Sequence, residues 1–468
     1  MSPTRRQVLK WGVGAGAVAG LGLAGRALIP PSPSSRLEPV ADLAARLYQS
    51  LDEDERAGAC FDYDHPLRQY HNRGVDTGGH WAVLLGRESR RLLVDLVHAG
   101  LSEAGRERLT EQFYFRLPGI HATRLAIFGE PGRGHSQVLV TGPHLNLRLG
   151  GKNREGVAFG GPQVYGDQRG NEEVGLPGNV YRYQLELGQR LVASLTTAER
   201  RAARHDRAPV QTLIDVQGRT GVFDGLAVAG LSATSRGLAH DMVAGILDTY
   251  AEEDAGYAWE CLERNGGVDA LHMADYDRDH QPGRHVAGGP SQIIRLEGPA
   301  AVFHYRGEPH LHAFLNVAMD GEQPLSVGEV IGVNPAAMDA MGVKRWFEDV
   351  MQVHTRADIA YYDLESVAGR LRAGPVRTGD IYNLESWRND VVVVEIEGAD
   401  LAEPIVGAFR ARGDTVNPGN TYRIATESYL ASQRADELLG RIKTEEPGPM
   451  LRDLAIEHGR QHGFSLAT

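Results

Sequence analysis

Two successive sets of alternating helix and strand patterns predict an α+β protein of two domains. One is a mixed helix/strand N-terminal domain, the other a smaller α+β C-terminal domain. Three observations carry this. At 468 residues the chain is long for a single core. Helical periodicity and strand-like alternation follow each other repeatedly from Leu37 to Ala318. Near Met319–Pro324 the character changes and a second set begins, marked by the buried-strand run Asp390–Glu397 (DVVVVEIE). The expected division is a leader and linker over 1–36, a first domain over 37–324 and a second over 325–468.

Composition narrows the function classes. A net charge of −12 argues against a phosphate-backbone binder, which needs a basic face, so no nucleic-acid partner is expected. The two cysteines, Cys60 and Cys261, cannot build a cysteine metal cage by themselves. They are either a disulfide of an oxidising compartment or two buried thiols. Thr4-Arg5-Arg6-Gln7-Val8-Leu9-Lys10 resembles the twin-arginine export consensus. A weakly apolar Gly/Ala run, Trp11–Ala27, and a Pro-rich break follow it. The expected partner is therefore the twin-arginine translocase, and the expected location periplasmic or extracellular. A membrane contact is expected only through an uncleaved signal.

Taken in order, Leu37–Ser50 reads as a helix, followed by an aromatic/His loop that holds Tyr70-His71-Asn72. Gly86–Gly100 and Ser102–Phe113 read as helices, the second opened by Ser102 as N-cap. Arg124–Gly129 and Gln137–Thr141 read as strands. Gly150–Gly178 reads as one long loop. Helices return at Tyr181–Leu195, Thr197–Arg204 and Gly237–Leu262, and His272–Pro290 reads as polar and turn-rich. Asp275, Asp277 and Asp279 lack the glycine and distal glutamate of a calcium hand, so a solvated acidic loop is expected there. In the second domain Asp390–Glu397 reads as a strand, Gly398–Leu401 as a turn and Tyr422–Leu430 as another strand.

The chemistry gathers in Ala300–Ala318, AAVFHYRGEPHLHAFLNVA, two short strands joined by a turn at Arg306-Gly307-Glu308-Pro309. Alternation puts His310, His312, Phe314 and Asn316 on one strand face and Leu311, Ala313, Leu315 and Val317 on the other. With a four-residue turn, Phe303 and Tyr305 share the histidine face and His304 lies opposite. His144 ends a strand just before the Gly-rich tract, a position that fixes and exposes a side chain. His144, His310 and His312 make a three-histidine set suited to one transition-metal ion: zinc, copper or iron. His71 and Glu308 are the candidates for a fourth ligand or base. Phe303 and Tyr305 would line the pocket. The competing explanation is that these histidines occupy polar strand faces without chemistry. Gly-x-Ser-x-Gly, a Walker A loop and His-Glu-x-x-His do not occur.

The segment Phe61–Asp320 resembles the family catalogued as domain of unknown function 3500. The ordered blocks include Tyr70-His71-Asn72, Phe128-Gly129-Glu130-Pro131, Gly142-Pro143-His144-Leu145-Asn146-Leu147, Phe159-Gly160-Gly161-Pro162 and Pro309-His310-Leu311-His312. Two departures stand out. Pro143 replaces the first of two family histidines, and Asn316–Asp320 lacks the family's arginine. The resemblance implies a structural unit and no reaction. Asp358-Ile359-Ala360, Gly374–Gly379 and Asn383–Gly398 are similar to the C-terminal domain of exported 5′-nucleotidases. That similarity implies a nucleoside-binding module, with Tyr382 and Trp387 as the aromatic candidates. The phosphoesterase motifs, Asp-x-His and Gly-Asn-His-Glu/Asp, are missing, so two-metal hydrolysis does not carry over. Two functions are thus expected as alternatives for an exported protein acting on a small molecule. One is a histidine-ligated metalloenzyme, hydrolase or oxidoreductase; the other is a non-catalytic cell-envelope binding protein.

Overall fold

In the computed structural model the described residues are 39–69, 79–114, 122–142, 144–149, 156–166, 180–278, 293–307, 311–322, 327–367 and 369–465. Twelve strands among them join one sheet: β1 (Cys60–Phe61), β2 (His80–Trp81), β3 (Arg124–Gly129), β4 (Ser136–Gly142), β5 (Leu145–Leu149), β6 (Gln163–Gly166), β7 (Arg204–Arg207), β8 (Leu226–Ala227), β9 (His272–Arg278), β10 (Ile293–Gly298), β11 (Ala301–Arg306) and β12 (His312–Val317). The order is β1-β3-β4-β5-β6-β12-β11-β10-β9-β7, with β2 beside β3 and β8 beside β9. Neighbours are antiparallel except for the parallel pairs β1–β3 and β7–β9. Pairing β6 with β12 brings two distant stretches of chain side by side.

Helices Val40–Ser50, Arg87–Ala99, Arg182–Ser194, Ala233–Leu247 and Glu252–Arg264 pack on one face of this sheet. Their buried leucines, valines and alanines meet Leu125, Val140, Leu147, Tyr165, Leu296 and Leu315 in the largest core cluster. The expected N-cap holds: Ser102 Oγ accepts from the Gly105 amide at 2.9 Å, and the helix runs Glu103–Tyr114.

Four local expectations need correction. The single helix expected at Gly237–Leu262 is two, because Thr249 and Tyr250 pair instead with Ser102 and Leu101. Within the expected long loop, Gln163–Gly166 forms strand β6, while 150–155 and 167–178 lie outside the described residues. The acidic stretch at His272 is a strand with Asp275 buried and Asp277 accepting from Arg204 Nε at 3.0 Å. Burial raises the Asp275 carboxyl above its ordinary range, which is the reverse of a solvated residue. Asp279 and His280 lie outside the described residues.

The second domain contains β13 (Val330–Asn334), β14 (Ile359–Ala360), β15 (Gly374–Arg377), β16 (Asp390–Leu401), β17 (Thr421–Glu427) and β18 (Gly440–Met450). β13 pairs β15, and β14-β17-β16-β18 form a four-stranded sheet. Helices Ala340–Thr355 and Leu451–His462 cover one face around Trp346, Phe347 and Phe464; helix Glu403–Ala411 covers the other around Ile405 and Phe409. The fourth correction falls here. β16 continues through the expected turn at Gly398–Leu401, held by Leu401 paired with Gly440, and the strand expected to Leu430 ends at Glu427 in a short helix. Cys60 and Cys261 are not joined in a disulfide, and burial pushes the Cys60 thiol up to about 11. Among the described residues no helix is long and apolar enough to cross a membrane.

Candidate functional site

The register of β11 against β12 decides which side chains share a face. Arg306 pairs with His312, His304 with Phe314 and Val302 with Asn316. The connection is therefore the five residues Gly307–Leu311 rather than four. An odd slip moves every side chain of one strand to the other face. Phe303 and Tyr305 consequently lie with Leu315 and Ala313 in the main core, at 1% and 0% exposure, and not beside the histidines. His304 and Arg306 take the places expected for them.

The face opposite the main core is polar and buried. Thr141, Asn146, Arg148, Arg295, His304 and Asn316 point from successive strands to this side, each 2% exposed or less. Its stabilising contacts are internal. Arg148 donates to Asn146 Oδ1 at 2.8 Å, to the Pro162 carbonyl and to the Arg68 carbonyl at 3.2 Å. Burial, with Arg68 nearby, pulls the Arg148 guanidinium down to about 9. Arg295 Nε donates to Glu297 Oε2 at 2.6 Å in an ion pair almost wholly out of water.

Two covers lie on this face. At the β10–β12 end the segment Val210–Gln217 is tied down by Arg295 on the Leu213 carbonyl (2.7 Å) and Asn316 on the Ile214 carbonyl (3.0 Å). Gln217 then spans the domains, donating to Glu297 Oε1 at 2.6 Å and accepting from Arg370 at 2.9 Å. At the β3–β4 end Tyr382 packs against Phe128 and Leu139. Its ring also lies 4.2 Å beneath the Arg452 guanidinium and 6.4 Å from His65. Trp387 is half-buried in the loop before β16.

His144 and His312 meet on this polar side. Gly142 pairs with Leu145, so a two-residue connection carries His144, which adopts φ 60. A side chain in the left-handed region costs roughly 1–2 kcal/mol relative to ordinary backbone. Such outliers collect at functional positions. The turn sets the His144 ring 4.7 Å from that of His312, edge to face, with both side chains buried. Gly166, which pairs with His312, is required by the Leu311 carbonyl, with which a Cβ there would clash, while His144 Cδ2 would stand 3.4 Å from it, near ordinary contact.

His312 Nδ1 stands 2.8 Å from Gln211 Oε1, and Arg306 Nη2 lies 2.9 Å from Nδ1 and 3.0 Å from Nε2. An Nδ1–H donated to Gln211 leaves the lone pair on Nε2, while Arg306 Nη2, nearly equidistant from both ring nitrogens, lies over the ring rather than along that lone pair. Sequence reasoning missed Arg306, Gln211, Arg148 and the Arg295–Glu297 pair. The one signal for Arg306 was the turn length. His71, Glu308 and His310, expected as base and ligands, lie outside the described residues. Among the described residues, no three His, Cys, Asp or Glu side chains already converge as metal ligands.

This architecture is a two-domain α+β protein whose N-terminal sheet buries a polar face carrying a histidine pair. The chain belongs to the family described as "Protein of unknown function (DUF3500)", which matches residues 34–285. The family described as "5'-nucleotidase, C-terminal domain" matches residues 335–407. Among solved structures, it is similar to a 5'-nucleotidase precursor from Thermus thermophilus. Identity is 13% and the TM-score 0.24, covering 36% of this chain and 47% of that one. It is also similar to a putative 5'-nucleotidase from Staphylococcus aureus in complex with alpha-ketoglutarate. Identity there is 11% and the TM-score 0.23, covering 37% of this chain and 50% of that one. The chain thus spans about half the length of each. No curated protein matches.

Proposed function

We propose that this is an exported enzyme whose polar sheet face holds one transition-metal ion on His144, His312 and the neighbouring His310. The observation that carries this reading is the His144–His312 ring pair at 4.7 Å, built on a left-handed backbone. Two imidazoles on one ion bound at about 2.0–2.1 Å stand at about this spacing. Gln211 on Nδ1 supplies the outer hydrogen bond that orients a ligating imidazole and leaves Nε2 for the metal. A metal held there with an open position would activate water or oxygen. The C-terminal domain would grip a nucleoside-like portion of the substrate through Tyr382 and Trp387. The twin-arginine leader accounts for export after folding.

Arg306 favours a second reading. Its Nη2 stands 3.0 Å from the Nε2 that a metal requires, so metal loading needs Arg306 to give way. If it does not, the same face is an anion pocket in a binding protein, with Arg306 and His144 as donors.

Elemental analysis of the protein exported through its own signal separates the two, on wild type, His144→Ala and His312→Ala. About one equivalent of a transition metal, lost in both variants while they stay folded, supports the enzyme. Folded, metal-free wild type sinks it and leaves the anion pocket.

A further inference from the structure

The order of elements in the N-terminal domain repeats. Two helices (Val40–Ser50, Glu53–Ala59), β1, β2, a 3-10 turn (Ala82–Leu84), two helices (Arg87–Ala99, Glu103–Tyr114) and β3 to β6 make up the first stretch. Two helices (Arg182–Ser194, Thr197–Ala203), β7, β8, a 3-10 turn (Val228–Gly230), two helices (Ala233–Leu247, Glu252–Arg264) and β9 to β12 make up the second. Among the described residues only further 3-10 turns break the match, at Pro66–Gln69, Ala158–Gly160 and Val268–Ala270. The pairings repeat as well. β1 runs parallel to β3 and β2 antiparallel to it, as β7 and β8 do to β9. β3 to β6 and β9 to β12 are antiparallel meanders, and the sheet order counted within each stretch is the same from either edge.

Packing rules alone give many folds with similar layers, so the side chains decide. Asp52 and Glu55 form a capping box, and the other Glu55 oxygen accepts from the amide of Gly86, which opens helix Arg87–Ala99. Thr196 and Glu199 form the same box, and Glu199 accepts from the amide of Ser232, which opens helix Ala233–Leu247. A serine pair stands beside each latch: Ser50 Oγ is 3.0 Å from Ser89 Oγ, and Ser194 Oγ 2.9 Å from Ser235 Oγ. The step from the first serine to the glutamate is the same in both, as is the step from the helix-opening residue to the second serine. The β4–β5 and β10–β11 connections match too. Gly142-Pro143-His144-Leu145 and Gly298-Pro299-Ala300-Ala301 each pair the glycine with the fourth residue.

These equivalences reach the centre of the sheet. Leu145 pairs with Tyr165 and its counterpart Ala301 with Val317, so Tyr165 matches Val317 and, two residues back, Gln163 matches Leu315. Gln163 and Leu315 are paired with each other. A residue paired antiparallel with its own counterpart lies on a two-fold axis, which is how two identical subunits join sheet edges.

We propose that the N-terminal domain is an internal duplication, two copies of one unit (40–166 and 182–317) that meet at β6 and β12 as the subunits of a homodimer do. The histidine pair then straddles the boundary: His144 comes from the first copy, and His312, Arg306 and Gln211 from the second. The axis relates His144 to Ala300 and, by chain count from Gln163 and Leu315, His312 to Gly160. That second position carries no imidazole, so one of the two related sites is armed. The duplication holds whichever ligand the histidine pair takes.

The test uses the full-length protein with a protease site inserted between Asn171 and Glu172, in the stretch that links the copies. Cleavage should leave one species of the uncut size on gel filtration, because β6–β12 pairing and the shared core hold the copies together. Its Tm should fall on dilution, as for two subunits, while that of the uncut protein does not change. Fragments that separate or precipitate under native conditions overturn the proposal. A second measurement needs no cut. Glu55→Gln and Glu199→Gln each put an amide nitrogen where the latch needs an accepting oxygen, and should lower Tm by amounts within about twofold of each other. A latch that matters in one copy and not in the other overturns the proposal as well. Neither measurement depends on metal content, so failure here leaves the sheet-face reading untouched.

Discussion

The two faces of the N-terminal sheet are made by the same strands and follow opposite rules. One face buries leucine, valine and phenylalanine under helices, and its stability comes from apolar area and packing. The other buries arginine, histidine, asparagine and glutamate at similar exposure. There each polar group must find a partner in the protein, because water is excluded. The comparison teaches that burial alone does not identify a structural core. A face that accepts the cost of desolvating charges is where specific chemistry is expected.

The sharpest contrast is between removing bulk and removing a partner. Phe303→Ala on the apolar face should destabilise by about 3–5 kcal/mol through lost transfer energy and a cavity. Glu297→Ala should cost about 3 kcal/mol or more by stranding the buried Arg295 charge. Replacing both members, as Arg295→Met with Glu297→Leu, should restore most of that loss, whereas no second change on the apolar face rescues Phe303→Ala without refilling the space. Urea unfolding at constant slope measures all of these. A double variant no better than Glu297→Ala would break the contrast.

Backbone strain gives the next effect. His144→Gly and His144→Ala remove the same ring but differ in the left-handed cost of a Cβ. The glycine variant should be the more stable, by about 1 kcal/mol. Equal stability would mean that the turn relaxes and that His144 is not held under strain.

Gln217→Ala tests whether the polar face is continuous with the second domain. It deletes the bridge from Glu297 to Arg370 and should cost about 1 kcal/mol of stability. Unfolding followed separately by probes in the two domains should show their transitions drawing apart. A coincident pair of transitions in the variant would assign the coupling to apolar contacts such as Tyr382.

The smallest effect is a pH dependence on the apolar side. His98, buried in helix Arg87–Ala99, is held below its ordinary basicity by burial first and Arg106 second, against Asp95. The unfolded chain therefore takes up a proton before the folded one does. Stability contributed by the neutral form is full above the ordinary histidine value near 6.5 and is lost as pH falls from there toward the depressed folded value. His98→Gln should flatten the stability profile in that window, seen by Tm against pH. An unchanged slope would move the effect to another histidine.

Much of the element list was legible in the sequence. Strand β3 runs over the expected Arg124–Gly129, and Ser102 caps its helix as expected. Periodicity and capping are local, so local residues suffice to read them. His312 was also legible as a candidate, from alternation along a strand; His144, expected at a strand end beside the glycine tract, sits instead in the turn between β4 and β5, with β5 between it and that tract. The strap Val210–Gln217 was not, although Leu213, Ile214 and Val216 between Gln211 and Gln217 were a usable signal. Its place depends on carbonyls taken by Arg295 and Asn316, residues more than 80 positions away.

By itself the sequence determined two sets of elements, an acidic chain and a segment with histidines at alternate positions, His310 and His312. Only the tertiary structure decided which side chains those histidines face. A connection of five residues instead of four traded Phe303 and Tyr305 for His304 and Arg306, because side chains repeat every two residues and one step inverts the set. Likewise, the pairing of β6 with β12 set Gly166 opposite His312 and close to His144. Register and long-range pairing depend on the whole packed sheet, and no local run of residues encodes them.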